Sequence, residues 1–240
     1  MIDADAPIET FDQIDSTLLE ARRRAEAGGV SAAWLVAREQ SDGRGRRGRV
    51  WVSRRGNLYA TYLGPTARAP ADIALLGFAA ALALSDVIDA IAGSSRTTLK
   101  WPNDVMLDGA KAAGILLESG AGWFSLSFGV NLAHAPKSVD QATTSLAEAL
   151  GAGDTPEPFF EQARLALTGW CARLETEGFA PLRAAWMARA HRLGGKVRVV
   201  LGSEELEGVL AGLSERGELE LDTPNGRRLI AAGDVHFTVV

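Results

Sequence analysis

The pattern of apolar residues changes at Gly194, and this change limits how the chain can fold. After it come short alternating segments, which are KVRVV, ELEGVL, ELEL, RLI and VHFTV, separated by turn pairs such as Asn225-Gly226. Short alternation of apolar and polar residues is typical of strands with one buried face. Because a barrel or sandwich of about 45 residues is too small to be stable alone, we expect it to pack on a larger domain. We therefore predict two domains, residues 1–193 and 194–240.

The larger domain combines helices and strands. A helix is predicted over 14–27, where Asp15, Ser16 and Thr17 can cap its start and a glycine pair ends it. Strands are predicted at 34–37, 57–63, 97–101, 112–119 and 123–130. Further helices are predicted at 72–92, 156–177 and 181–191, the last two opening with a proline, which a first helical turn tolerates.

Several classes of protein are excluded by what the chain contains. Its longest apolar run, 73–84, is shorter than the roughly 20 residues that a membrane-spanning helix needs. The single cysteine, Cys171, rules out an intrachain disulfide and favours a reducing cytoplasm. The histidines, His134, His191 and His236, lack the spacing of a zinc site. With 25 basic and 30 acidic residues the net charge is −5, so we expect neither nucleic acid nor membrane as a partner.

Segment 43–49, GRGRRGR, concentrates positive charge in a chain that is acidic overall. Its glycines let backbone N–H groups turn toward an anion, and its guanidinium groups match phosphate oxygens two at a time. It is not a Walker loop, because no GKS or GKT follows it. We predict a mobile loop that binds phosphate. A solvated charged face and an RNA-binding arginine-glycine segment remain as alternatives.

A second polar cluster lies in segment 100–116, KWPNDVMLDGAKAAGIL. The Asn103 amide offers a donor and an acceptor, and Asp104 is a hard oxygen ligand suited to Mg²⁺. Lys111 is a point charge that can lie beside a carboxylate or a phosphate. The alternative is a Pro-Asn-Asp turn that only ends a strand.

Three neutral side chains, Ser16, Thr17 and Gln40, suit a ligand with an uncharged polar end. Helix capping is the alternative for Ser16 and Thr17. Near the end of a predicted strand, Gly129 permits close approach and Asn131 adds an amide. This pair can face a nucleotide or merely turn the chain.

Taken together, these segments resemble the biotin protein ligase family. The matching motifs are DST at 15–17, Gln40, GRGRRGRVW at 43–51, KWPND at 100–104, KAAGILLES at 111–119 and FGVN at 128–131. The resemblance covers about residues 10–135, and GDV at 233–235 resembles the end of the family's small C-terminal domain. The arginine motif and KWPND in this order, with a lysine after them, are highly specific as a pair.

The resemblance implies an α+β fold. Its catalytic domain would be similar to class II aminoacyl-tRNA synthetases, with a mixed sheet flanked by helices, and a small SH3-like β-barrel would follow. It also implies ATP-dependent attachment of biotin, with Mg²⁺, to one lysine of the biotin carboxyl carrier protein of acetyl-CoA carboxylase. The reaction would pass through biotinyl-5′-AMP and release pyrophosphate.

The resemblance also assigns roles by position. Biotin would contact Ser16, Thr17, Gln40, Arg44, Gly45, Arg46, Lys111 and Gly114. ATP would contact Arg46, Arg49, Trp51, Asn103, Lys111 and Asn131, and Mg²⁺ would lie near Asp104. The implied catalytic residues are Lys111, which would hold the carboxylate and then the phosphoryl oxygens, and Arg46, which would retain the adenylate.

The chain departs from the family at three points. Leu18 stands where members often have asparagine, and members commonly show GxGxN where this chain has Phe128-Gly129-Val130-Asn131. Members that double as repressors carry an N-terminal winged helix, whereas few residues precede Asp15 here, so we expect no operator binding. Three other functions remain as alternatives: a lipoate ligase, a non-catalytic biotin or nucleotide sensor, and an RNA-binding module.

Overall fold

Twelve strands and six α-helices make up the computed structural model, which describes residues 2–137, 141–151 and 155–237. The strands are β1 (Ile8–Phe11), β2 (Ala33–Ala37), β3 (Leu58–Pro65), β4 (Thr97–Lys100), β5 (Asp104–Leu107), β6 (Ala110–Gly120), β7 (Trp123–Val130), β8 (Lys196–Leu201), β9 (Glu204–Leu213), β10 (Leu219–Thr223), β11 (Gly226–Ile230) and β12 (Asp234–Phe237). The helices are α1 (Thr17–Ala27), α2 (Pro70–Ala74), α3 (Leu76–Ala92), α4 (Leu146–Leu150), α5 (Pro156–Glu177) and α6 (Ala180–Met187).

Within the described residues, the first seven strands form one mixed sheet in the order β1-β2-β3-β7-β6-β5-β4. Strands β1 and β2 are parallel, and every other neighbouring pair in this sheet is antiparallel. Successive residues of a strand point to opposite sides, so a strand can place apolar side chains on both faces of the sheet. Helices cover both faces here. On β2, Leu35 packs with Ala21 and Ala25 of α1, whereas its neighbour Trp34 faces the main core.

The main core lies between the sheet and helices α3, α5 and α6. There Trp34 meets Tyr62, Phe128 and Phe160 edge to face, with ring centroids 5.2, 5.9 and 5.3 Å apart. Aromatic rings favour this arrangement because the positive edge of one ring meets the negative face of another. Phe128, a departure from the family pattern, is therefore part of the packed core beneath β7.

One apolar stretch, Pro70–Ala92, has the length and composition to cross a membrane, but 72% of its most apolar window is buried inside the protein. Its apolar residues pack in the main core, so it forms the central helical layer. The structure divides the single helix predicted over 72–92 at Leu75, into α2 and α3. Every position near the break is apolar or small, so the sequence pattern contains no signal for it.

A separate antiparallel sheet, of order β11-β10-β9-β8-β12 over the described residues, spans Lys196–Phe237. It confirms the five predicted C-terminal strands, although residues 238–239 of the last one lie outside the described residues. This sheet packs on the first domain next to β4. Trp101 donates from Nε1 to the Gly217 carbonyl at 3.2 Å, and the Phe78 ring lies directly against Gly217.

For the other two long helices, the predicted bounds agree with the structure to different extents. Helix α5 has the predicted bounds, 156–177, whereas α6 begins one residue before the predicted start and ends four residues before the predicted end, 191. The chain beyond α6 instead forms turns on either side of a single β-bridge between Ala190 and Leu99: the His191 N–H donates to the Leu99 carbonyl at 2.8 Å, and the Leu99 N–H donates to the Arg189 carbonyl at 2.7 Å. This segment therefore extends the β4 edge of the first sheet.

Candidate functional site

A cavity of about 500 Å³ opens over the middle of the mixed sheet and reaches the C-terminal domain. Every ligand-binding residue that the sequence predicts lies on its wall; these are Ser16, Thr17, Gln40, Arg44, Gly45, Arg46, Arg49, Trp51, Asn103, Asp104, Lys111, Gly114 and Asn131. The departure residue Leu18 lines it as well. Segments more than a hundred residues apart in sequence thus form one continuous surface.

One end of the cavity is neutral and polar. Gln40 Oε1 accepts from the Thr17 N–H at 2.8 Å and from Thr17 Oγ1 at 3.1 Å, and Gln40 Nε2 donates to Ser53 Oγ at 2.9 Å. Thr61 Oγ1 donates to Thr17 Oγ1 at 2.8 Å and is bonded to Ser127 Oγ. The network holds these side chains in fixed orientations without a net charge, which suits recognition of an uncharged polar group.

Ser16 is the N-cap residue of α1 and is buried, yet its side chain makes no capping hydrogen bond within the described structure. Side-chain capping, the alternative explanation for this serine, is therefore not what its hydroxyl does here. Ser16 lies on the cavity wall instead. Ser16 is thus available for a ligand at the neutral end.

The arginine segment forms a tight hairpin at the rim of the cavity. The Gly45 N–H donates to the Arg49 carbonyl at 2.7 Å, the Trp51 N–H donates to the Gly43 carbonyl at 2.9 Å, and a short 3₁₀ turn spans Arg46–Gly48. A Cβ at Gly43 would lie 2.3 Å from the Trp51 carbonyl oxygen, so the hairpin can close only with glycine there. The turn directs Arg44, Arg46 and Arg49 to the cavity wall.

The Trp51 indole, which follows this hairpin, rests on two glycines of the sheet. Gly114 on β6 and Gly129 on β7 are paired in register. A Cβ at Gly129 would lie 2.5 Å from Trp51 Nε1, and one at Gly114 would lie 3.0 Å from Trp51 Cζ3. Bare backbone at both positions therefore makes room for the ring. Its buried Nε1 has no hydrogen-bond partner among the described residues, so a ligand acceptor can satisfy this donor.

Lys111 lies between the two ends of the cavity. Its Nζ is 2.6 Å from Asp104 Oδ1 and 5.2 Å from the centroid of the Trp51 ring. The Asp104 side chain is only 9% exposed, and its Oδ2 accepts from Gln141 Nε2 at 3.2 Å. The ion pair keeps the ammonium group at the cavity wall and supplies the buried carboxylate with the partner that it requires.

The two predicted asparagines differ in their contacts. Asn103 Nδ2 donates to the Ile115 carbonyl at 2.7 Å, and the Ile115 N–H donates to the Asn103 carbonyl at 2.9 Å, so Asn103 fastens the KWPND turn to β6. Asn131 Nδ2 donates to the Thr144 carbonyl at 3.1 Å, whereas its buried Oδ1 has no partner within the described residues. Asn131 thus offers a free acceptor, and Asn103 mainly shapes the wall.

The structure adds titratable residues to the cavity that the sequence analysis did not single out: Lys100, Arg198, Asp234 and His236. Lys100 donates from Nζ to Gln141 Oε1 at 2.8 Å, and burial lowers its pKa. Burial likewise lowers the pKa of Arg46, an effect that the nearby Asp234 carboxylate opposes. The far end of the cavity is therefore cationic and partly desolvated, conditions under which a polyanion binds strongly.

No local signal could have identified these four residues. Lys100 was noted only as part of KWPND, and Asp234 only as part of GDV. Three of the four come from the C-terminal strands, and they reach the cavity because β8 and β12 lie side by side. A pattern search along the chain does not show which face of a distant sheet meets the cavity.

Comparisons with known proteins agree with this geometry. The model of the biotin/lipoate A/B protein ligase family matches residues 11–131, and that of the biotin protein ligase C-terminal domain matches residues 193–237. A biotin--[acetyl-CoA-carboxylase] ligase of Paracoccus denitrificans is 44% identical over 93% of this chain and 97% of its own length. One from Mycobacterium tuberculosis is 32% identical over 95% and 88%.

A solved structure of similar fold is the biotin protein ligase from Aquifex aeolicus in complex with biotin and ATP. It has a TM-score of 0.83 and 26% identity, and the match covers 97% of this chain and 98% of that one. The similarity extends over both sheets, and the predicted combination of a mixed sheet flanked by helices with a C-terminal antiparallel sheet is confirmed. The chain belongs to the biotin/lipoate A/B protein ligase family.

Proposed function

We propose that this chain is a biotin ligase that activates biotin with ATP and transfers it to one lysine of the biotin carboxyl carrier protein of acetyl-CoA carboxylase. The observation that carries the proposal is the single cavity, neutral and polar at one end and cationic at the other, with Lys111 between them. The names of the two similar ligases, from Paracoccus denitrificans and Mycobacterium tuberculosis, specify biotin and acetyl-CoA carboxylase.

The reaction has two steps. In the first, a biotin carboxylate oxygen attacks the α-phosphorus of ATP; a new P–O bond forms, and the bond to the bridging oxygen breaks as pyrophosphate leaves. In the second, the ε-amine of the acceptor lysine attacks the acyl carbon, AMP leaves with the C–O electron pair, and the amine loses a proton. Activation with ATP must precede the transfer because a carboxylate is a poor electrophile, whereas an acyl adenylate has a good leaving group.

The first step brings two anions together, so the site must supply positive charge and alignment. In this proposal Ser16, Thr17 and Gln40 bind the uncharged ring end of biotin, and Gly114 allows close approach. Lys111 meets the carboxylate at the junction and then the transferring phosphoryl oxygens. The hairpin residues Arg44, Gly45 and Arg46 close over the bound acid, with Arg46 retaining the adenylate.

The nucleotide occupies the other end. Arg46 and Arg49 face the phosphates, while Trp51, with its free Nε1, and Asn131, with its free Oδ1, offer a donor and an acceptor, and Asn103 shapes the wall. Asp104 is the residue that would hold Mg²⁺. One carboxylate is sufficient, since Mg²⁺ is usually bound by one or two carboxylates together with substrate phosphates. The ion would help to neutralise the phosphate charge.

The cellular setting proposed from the sequence is the cytoplasm, with a carrier protein as partner and without nucleic acid or membrane. The net charge of −5 supports this, because a protein that mainly binds nucleic acid or an anionic membrane usually carries an excess of positive charge. The domain bounds proposed are 1–193 for the catalytic domain and 194–240 for the C-terminal domain.

The decisive test is mass spectrometry of a carrier domain incubated with the protein, biotin and MgATP, with each omitted in turn and with lipoate replacing biotin in a parallel tube. We expect a gain of about 226 Da on one lysine that requires both biotin and ATP. A gain in mass with lipoate and MgATP, but not with biotin and MgATP, would make the chain a lipoate ligase. Tight biotin binding without transfer to any carrier would indicate a sensor.

A further inference from the structure

The arginine hairpin is tied to the C-terminal domain by one carboxylate. Asp234, the first residue of β12, lies 3.5 Å from Arg46 Nη1 through Oδ1, and its Oδ2 lies 3.0 Å from Arg47 Nη1 and 2.5 Å from Arg49 Nη2. Its side chain is only 12% exposed. Three consecutive charges of a loop between β2 and β3 therefore converge on a residue more than 180 positions away.

Arg47 differs from its neighbours in where it points. Arg46 and Arg49 line the cavity, whereas Arg47 is absent from the described cavity wall. Its two hydrogen bonds go to the C-terminal domain, from Nη1 to Asp234 Oδ2 and from Nη2 to the Val200 carbonyl at 3.3 Å. Its backbone is left-handed, with φ 55° and ψ 34°, a conformation that persists in a non-glycine residue where surrounding contacts hold it.

The charge balance of this cluster favours phosphate. One carboxylate meets three guanidinium groups, so positive charge remains in excess, and two of the three groups face the cavity. Arg46 also donates to the Gly233 carbonyl at 3.2 Å, which fixes it against β12. The hairpin arginines are thus held at the cavity before a nucleotide enters, so fewer side chains need to be ordered when it binds.

We infer that Asp234 is a positioning residue for nucleotide binding and that, together with Arg47, it forms a latch joining the arginine hairpin to the C-terminal domain. The inference rests on the proposed function for its link to ATP. Asp234 acts through Arg46 and Arg49 and takes no part in bond making. Arg47 serves only the latch.

The test uses the full chain carrying Asp234→Asn, Asp234→Glu, Arg47→Gln, or Asp234→Asn and Arg47→Gln together. The matched control is Asp222→Asn, since Asp222 is also a C-terminal-domain carboxylate paired with an arginine, Arg227, but it is exposed and away from the cavity. The first readout is the KM for ATP in biotin-dependent pyrophosphate exchange. The second is the rate of trypsin cleavage within residues 44–49 without ligands, with the cut site identified by mass spectrometry.

For Asp234→Asn we expect the KM for ATP to rise about tenfold and cleavage within the hairpin to accelerate. Arg47→Gln should shift both readouts in the same direction, and the double variant should be no worse than Asp234→Asn alone, because two residues of one latch are not additive. Asp234→Glu should restore most of the affinity. Asp222→Asn should match the wild type.

A KM for ATP in Asp234→Asn that equals or falls below the wild-type value overturns the inference, as do additive effects of the two substitutions. If Asp234→Asn does not fold, Arg47→Gln carries the same test. A wild-type protein without biotin-dependent exchange would refute the proposed function instead, and the trypsin rates would still decide whether the latch exists.

Discussion

At the scale of single residues, Lys111 connects the two halves of the cavity. Its ammonium group lies 2.6 Å from Asp104 and near the Trp51 ring, where it can interact first with a carboxylate and then with a phosphoryl oxygen. Because Lys111 is proposed to contact the carboxylate and then the phosphoryl oxygens, its loss should affect the reaction more than the binding of either substrate alone.

We expect Lys111→Ala to lower the rate of biotin-dependent pyrophosphate exchange at saturating substrates by about 10²–10³-fold. The substitution also leaves the buried Asp104 carboxylate without its cation, so the melting temperature should fall. Lys137→Ala is the control, since that side chain is 88% exposed. An unchanged exchange rate in Lys111→Ala would remove Lys111 from the chemistry and favour a sensor.

Residue types, motif order and the family resemblance predicted site residues from Ser16 to Asn131, and the structure brings all of them to the wall of one cavity. Asp234 was not predicted as a site residue, because its importance depends on three arginines to which only the tertiary fold brings it close. Asn103 shows the reverse case, a residue whose type suggested a ligand contact. Its side-chain amide instead donates a hydrogen bond to the backbone of β6.

At the scale of elements, long segments with a clear period were predicted well and short ones were missed. Helix α5 and the long strands β6 and β7 have apolar faces extended enough to be recognised. Strand β1 is short and largely exposed, whereas β5 is buried at every position, so neither alternates. Helix α4 spans just five residues, too few for a helical period to be visible.

The fit of Trp51 between the hairpin and the sheet depends on strands β6 and β7. We expect Gly129→Ala to move the indole, because the new methyl would lie 2.5 Å from Trp51 Nε1. The free energy of unfolding should fall by about 1–3 kcal/mol, and the KM for ATP should rise. Urea unfolding and pyrophosphate exchange measure the two effects.

The control for that variant is the same substitution in an open place. Gly169 lies within α5, and an added Cβ would meet nothing within 4 Å. Alanine favours a helix over glycine, so Gly169→Ala should instead stabilise the protein by about 0.5–1 kcal/mol and leave the KM unchanged. If Gly129→Ala behaved like Gly169→Ala, the sheet glycines would not be needed to seat the indole.

At the scale of the whole molecule, His191 lies where the two sheets meet. Its Nδ1 is 2.8 Å from Thr98 Oγ1 on β4, and its ring packs edge to face on Phe237 of β12 at 5.1 Å. Burial lowers the pKa of His191, and the positive charges of Arg192 and Lys100 lower it further. Protonation of this imidazole is therefore less favourable in the folded protein than in the unfolded chain.

The sign of the pH effect follows from this shift. Above the ordinary histidine pKa of 6.5 the ring is neutral in both states, whereas below it the unfolded chain binds a proton first, so stability falls as the pH is lowered. We expect the free energy of unfolding in urea to decrease from pH 7 to about pH 5.5, and to decrease less in His191→Gln. His134→Gln, at an exposed position, controls for the loss of a histidine. Equal slopes in wild type and His191→Gln would contradict the assignment.

The two sheets share one buried apolar cluster. It contains Phe78 and Trp101 from the first domain and Leu213 and Leu219 from the C-terminal strands. Exposing one half would leave the other half's apolar surface in water, so partial melting is unfavourable. The chain should therefore behave as a single cooperative calorimetric unit, with equal van't Hoff and calorimetric enthalpies. A ligand bound at the arginine hairpin would then protect even the distant β10 and β11 amides from hydrogen exchange.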